Sequence, residues 1–106
     1  MKARQTKRPS LSSVSRKLRA HMPELRSRHG IASLKVFGSV ARGENTRRSD
    51  VDLLVEFEPG RSVTLLGFVA IEREISELLG CKVDLVEPGA LRPHLGERIL
   101  AEAVPI

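Results

Sequence analysis

Two aspartates stand at the head of an apolar segment, residues 51–57, that the pattern predicts to be a β-strand. Residues two apart on a strand leave the same face, so Asp50 and Asp52 should point to one side while the apolar residues alternate onto the other. Two such carboxylates repel by about 2 kcal/mol at an effective dielectric of 20. The sequence therefore predicts a sheet with one face covered by helices and one acidic face that binds something positive.

A third acid interrupts the next predicted strand, Lys82 to Val86, where Asp84 lies between two apolar residues. Oxygen-rich sites of this kind select Mg²⁺ or Mn²⁺, and Mg²⁺ fills its shell with phosphate oxygens and water. In a two-metal scheme Asp50 and Asp52 would bridge both ions. Asp84 would either bind the ion that activates an incoming hydroxyl or take its proton directly.

An anion site is predicted just before the aspartates, where a short strand over residues 33–37 runs into Gly38. If Ser39 begins a helix, free backbone N–H groups face an anion there, and Gly38 lets a phosphate approach the main chain. Arg42 would lie over the same helical turn and offer its guanidinium to the same phosphates. We therefore predict that Gly38, Ser39 and Arg42 bind phosphate groups.

The remaining segments alternate between helix and strand. Helical spacing begins after Ser10, and Pro23 is expected to break it and to start a second short helix that Gly30 ends. The clearest helix covers Leu65 to Leu79, with Ser62 as the predicted cap and Gly80 as its end.

Near the C-terminus, Pro93 should confine a helix to the later part of residues 91–101, and residues 103–106 could add an edge strand. Strands alternating with helices indicate an α/β or α+β layer.

Charge divides the chain unevenly. The net charge is +5, but residues 1–30 carry nine Lys or Arg against Glu24, or 9 − 1 = +8, which leaves 5 − 8 = −3 for the rest. We expect a basic N-terminal arm and helix at 1–20, loosely held up to Pro9, and a catalytic domain at 21–106. A mildly acidic body behind a basic arm does not favour nucleic-acid binding over the whole surface. A platform that stacks single-stranded bases is not expected either, since the chain has only three Phe and no Tyr or Trp.

Membrane insertion is also not expected, because no apolar run approaches the roughly 20 residues that a bilayer requires. The single Cys81 excludes an internal disulfide and is compatible with a reducing cytosol, so a cytoplasmic location is expected.

The segments GSVARG, SDVDLLV and VDLV together resemble the polymerase-beta-like nucleotidyltransferase superfamily, and more closely its minimal nucleotidyltransferase antitoxins, from about Pro23 onward. The resemblance implies an α+β fold with a mixed β-sheet backed by helices on one face. It also implies triphosphate binding at Gly38, Ser39 and Arg42 and Mg²⁺ binding by the three aspartates, Asp50, Asp52 and Asp84.

Family members of this size commonly adenylylate a tyrosine of a HEPN-type toxin with ATP. Because this chain contains no tyrosine, a tyrosyl acceptor would have to come from another molecule.

Other interpretations stay open. The chain could neutralise a partner by occlusion without catalysis, or act on a small molecule or an RNA end, for which the basic arm would matter. Asp84 could instead be a surface acid at the edge of a strand. Cys81 is expected to be a packing residue, and His21 and His29 show no zinc-ligand spacing. His94 could touch a nucleotide, but a solvent-facing or capping role is expected.

Overall fold

A computed structural model describes residues 8–106, so most of the predicted basic arm lies outside the described residues. The elements in chain order are α1 (Leu11–His29), β1 (Ile31–Phe37), α2 (Gly38–Arg42), β2 (Val51–Phe57), α3 (Leu65–Leu79), β3 (Val83–Val86), a 3-10 turn (Pro88–Ala90), α4 (Pro93–Glu102) and β4 (Val104–Pro105). The strands form one mixed sheet in the order β3-β2-β1-β4, in which only β2 and β3 are parallel. The predicted α+β fold with a mixed sheet is confirmed.

The predicted break at Pro23 is wrong, because α1 is one continuous helix through that residue. Leu18 and Leu25 lie on either side of the proline with exposed fractions of 0% and 1%, so the apolar stripe continues across it. Burial of this stripe offsets the backbone hydrogen bond that proline cannot donate. The helix also crosses the predicted division between residues 20 and 21.

The caps of the helices follow local geometry. Ser10 caps α1, and its hydroxyl accepts a hydrogen bond of 3.0 Å from the backbone N–H of Ser13. Thr64 rather than Ser62 caps α3, accepting from the N–H of Gly67 at 3.0 Å. The prediction for Ser62 was wrong because only the residue directly before the first turn can reach these N–H groups.

One face of the sheet packs against α1 and α3, and Val51, Leu53 and Val55 are fully buried there as predicted. The opposite face is less open than predicted. Leu54 is buried with Phe37 and with Ile99 of α4, so α4 covers part of the face that also carries Asp52. The acidic surface is thereby confined to the end of the sheet where β2 begins.

Within residues 8–106, no helix combines the length and the apolar character that crossing a bilayer requires.

Candidate active site

The site is formed where β1 ends beside the start of β2. Phe37 pairs with Asp52 in the antiparallel register, so the next residue, Gly38, turns directly over the aspartate. A Cβ placed on Gly38 would lie 2.2 Å from Oδ2 of Asp52, and the glycine has a φ of 72°. Two features therefore favour glycine at this position: the backbone conformation and the closeness of the carboxylate.

The other two predicted acids lie next to Asp52. Asp84 is its register partner on the parallel strand β3 and is exposed. Asp50 directly precedes β2 instead of lying within it, and its Oδ2 is 3.7 Å from Nζ of Lys82. Register therefore places Asp84 beside Asp52, while Asp50 lies at the strand entrance.

The surroundings of Asp52 disfavour its ionised form. Burial, and after it the negative charges of Asp84 and Asp50, raise the pKa of Asp52 from its ordinary value of 3.8 to about 6. The positive charge of Arg42 opposes this rise only in part. A carboxyl held this way is a feature of functional sites, and a bound cation would offset the crowding of negative charge.

The three carboxylates are suitable ligands for a hard divalent cation, but their side chains do not converge on one metal position. Among residues 8–106, no three His, Cys, Asp or Glu side chains are arranged to hold one metal ion. Asp52 offers one carboxylate to such an ion, and its register neighbour Asp84 places a second carboxylate beside it. The full set of Asp50, Asp52 and Asp84 as metal ligands stays a prediction.

The predicted phosphate donors face a carboxylate that sequence reasoning missed. The N–H of Gly38 donates to Oε1 of Glu102 at 3.2 Å, and Nη1 of Arg42 donates to both oxygens of Glu102 at 3.1 and 3.2 Å. Arg42 also donates through Nε to Glu44 at 2.7 Å. Ser39 lies in the first turn of α2, as predicted.

Glu102 carried no signal in the sequence, since it lies 64 residues from Gly38, between the predicted helix and the predicted edge strand. Asn45 was also missed. Its side chain is 4% exposed and donates to the carbonyl oxygen of Pro9 at 2.7 Å, which ties the loop after α2 to the segment before α1.

The family model for the nucleotidyltransferase domain matches residues 18–106. This chain belongs to that family. The nucleotidyltransferase is 42% identical over 95 residues to the protein adenylyltransferase MntA of Thermococcus cleftensis, a match that covers 90% of this chain and 94% of that relative.

Two solved structures share the fold. One belongs to a protein classed provisionally as a minimal nucleotidyltransferase, with a TM-score of 0.74 and 44% identity over 92% of this chain and 97% of that one. The other is a chain from a complex of a tri-AMPylated Shewanella oneidensis HEPN toxin with an MNT antitoxin. It has a TM-score of 0.61 and 15% identity over 87% of this nucleotidyltransferase and 70% of that chain, so this second likeness concerns the fold alone.

The raised pKa of Asp52 makes stability depend on pH. Because the folded pKa of about 6 exceeds the ordinary 3.8, the stability gained from protonating Asp52 is fully present below 3.8 and is lost as pH rises through 6. As pH rises through this range, the unfolding free energy of the metal-free wild type should fall by about 1 kcal/mol more than that of Asp52→Asn. This value allows for solvent screening of the partly exposed carboxylate. Urea unfolding of both proteins in chelator at the two ends of the range measures this, and an unchanged difference would contradict it.

Proposed function

We propose that this nucleotidyltransferase binds ATP with Mg²⁺ and transfers AMP to a hydroxyl group of a partner protein. The observation that carries the proposal is the contact between the Gly38 corner and Asp52. That contact brings backbone and guanidinium donors for phosphate next to a carboxylate with a raised pKa. Phosphate donors beside crowded carboxylates are the two parts that phosphoryl transfer with a metal ion needs.

Each side chain takes one role in this proposal. Gly38, Ser39 and Arg42 bind the triphosphate, and Asp50 and Asp52 hold the ion. When bound, Mg²⁺ neutralises developing charge on the phosphate oxygens.

The acceptor oxygen forms a bond to the α-phosphorus, and the bond from that phosphorus to the bridging oxygen breaks. Pyrophosphate leaves with the electron pair, and Asp84 accepts the hydroxyl proton.

The partner proposed is a HEPN-type toxin that supplies a tyrosine, so that AMP transfer neutralises it. This chain has no tyrosine of its own, which requires the tyrosyl acceptor to be on a second molecule. A protein that acted by occlusion alone would have no use for the charge crowding at Asp52, which costs stability in the absence of a cation.

The test uses the purified chain, a HEPN-type partner identified by mass spectrometry of the proteins that co-purify with it, Mg²⁺ and ATP labelled at either the α- or the γ-phosphate. We expect label from the α position on the toxin, none from the γ position, and loss of toxin activity in step with labelling. Transfer of γ label would show a kinase instead. Neutralisation without any label would establish the occlusion mechanism and overturn the proposed reaction.

Arg42→Ala should weaken binding of a non-hydrolysable ATP analogue by about tenfold, because a charge-assisted hydrogen-bonding fork is lost from the phosphate site. Calorimetry in the presence of Mg²⁺ measures the change. Arg73→Ala is the matched control, since Arg73 lies on α3, which packs on the other face of the sheet. Equal affinity in wild type and Arg42→Ala would contradict the assignment of Arg42 to the phosphates.

A further inference from the structure

We propose that Glu102 is an internal competitor for nucleotide: its carboxylate occupies the phosphate position of the nucleotide-free protein and has to leave when a triphosphate binds. This inference rests on the proposed function and adds to it a built-in control of nucleotide affinity. It concerns a residue outside the GSVARG, SDVDLLV and VDLV segments, at the last position of α4.

The contacts of Glu102 are those expected of a phosphate. One carboxylate accepts from the N–H of Gly38 at 3.2 Å and from Nη1 of Arg42 at 3.1 and 3.2 Å. A backbone N–H beside a tight turn and a guanidinium group are the donors that proteins commonly offer to phosphate oxygens. Both donors cannot serve Glu102 and a triphosphate together, so the two ligands compete.

The fold holds Glu102 in place from both sides. Ile99, one turn earlier in α4, is buried with Phe37 and Leu54, and Val104 pairs with Val36 of β1. The backbone at Glu102 is thus fixed beside the corner by packing and by the sheet. Its side chain retains 32% exposure, so rotation of the side chain into solvent frees the donors without moving α4.

The charges explain why the carboxylate would leave. Glu102 adds a negative charge to a region that already holds Asp52, and its contacts with the Gly38 and Arg42 donors offset the repulsion between the two carboxylates. A triphosphate brings more acceptor oxygens to the same donors, together with its own cation. Both oxygens of Glu102 accept hydrogen bonds from these donors. Glu102 therefore takes the place of a phosphate, whereas the aspartates are the candidates for holding a cation.

Calorimetric titration of the full chain with Mg²⁺ and AMP-PNP tests the competition. Glu102→Ala should bind the analogue about tenfold more tightly than wild type, because a charge-assisted competitor is removed. Glu102→Asp keeps the charge but is one methylene too short to reach both donors, so it too should bind more tightly than wild type. The melting temperature of each variant verifies that it is folded.

Glu44→Gln is the matched control. Glu44 pairs with the same guanidinium at 2.7 Å but makes no contact with Gly38, so its removal takes away an equal charge and leaves Glu102 in place. We expect a gain of less than about twofold for this variant. If Glu44→Gln and Glu102→Ala gained equal affinity for AMP-PNP, the loss of one negative charge near Arg42 would explain both results. The proposed competition by Glu102 would then be overturned.

Unchanged or weaker binding in both Glu102 variants would also overturn it, and weaker binding would make Glu102 a residue that positions Arg42. These outcomes leave the proposed function standing as long as wild type binds the analogue. If wild type binds no nucleotide at all, the proposed function fails first and the inference fails with it.

Discussion

Asp52→Asn is expected to abolish AMP transfer while leaving the protein folded and, without metal, more stable than wild type at neutral pH. The loss of transfer should be about 10³-fold, because the variant loses the charge that holds the cation against the phosphates. The gain in stability follows from the pKa of Asp52, which burial and the negative charges of Asp84 and Asp50 together raise to about 6, so that the ionised carboxylate is unfavourable in the metal-free fold above that pH. A change that stabilises the fold and removes the activity is typical of a functional residue.

Transfer of α label to the toxin and thermal unfolding in chelator measure the two effects. Glu56→Gln is the matched control, since Glu56 lies four residues along the same strand on the same face and is exposed. It should retain the activity of the wild type. Substantial transfer by Asp52→Asn would contradict the role of this carboxylate.

Gly38→Ala is expected to reduce AMP transfer by about 100-fold with only a modest effect on stability. The added Cβ would lie 2.2 Å from Oδ2 of Asp52 but 3.2 Å from its Cγ, so the strain is relieved when the end of the aspartate side chain turns away. The positive φ of 72° adds about 1 kcal/mol of backbone cost. Turning the carboxylate preserves the fold but moves the oxygen that the reaction needs.

Gly43→Ala separates the backbone cost of a positive φ from the displacement of the Asp52 carboxylate. Gly43 has a φ of 71°, nearly that of Gly38, but a Cβ there would meet nothing within 4 Å. Both variants should therefore lose similar unfolding free energy, whereas only Gly38→Ala should lose most of the transfer. Equal activity in the two variants would contradict the proposed contact between the corner and Asp52 as the basis of the site.

The sequence was sufficient for features that depend on local periodicity. The alternation around Asp52 predicted both the strand at residues 51–57 and the burial of its apolar face, and the glycine at 38 predicted the turn into α2. The VDLV segment placed Asp84 on a strand, and the parallel register then set it beside Asp52.

Features that depend on distant contacts could not be predicted in this way. The helix continues through Pro23 because buried leucines on both sides stabilise it, a result of tertiary packing that overrides the local break. Glu102 reaches the corner only because α4 and β4 fold back along β1. Periodicity gives the face of a strand on which an acid lies but not the direction of its oxygen atoms, so the three-carboxylate ligand set remains a prediction.

The most direct measurement is anomalous diffraction from crystals of the wild-type chain grown with Mn²⁺ in place of Mg²⁺ and with AMP-PNP. We predict a manganese peak in contact with the carboxylate of Asp52, with phosphate oxygens bound to the Gly38 N–H and to Arg42 and with Glu102 turned away from both donors. A manganese peak elsewhere, or a triphosphate bound away from the Gly38 corner, would contradict the active site described for this nucleotidyltransferase.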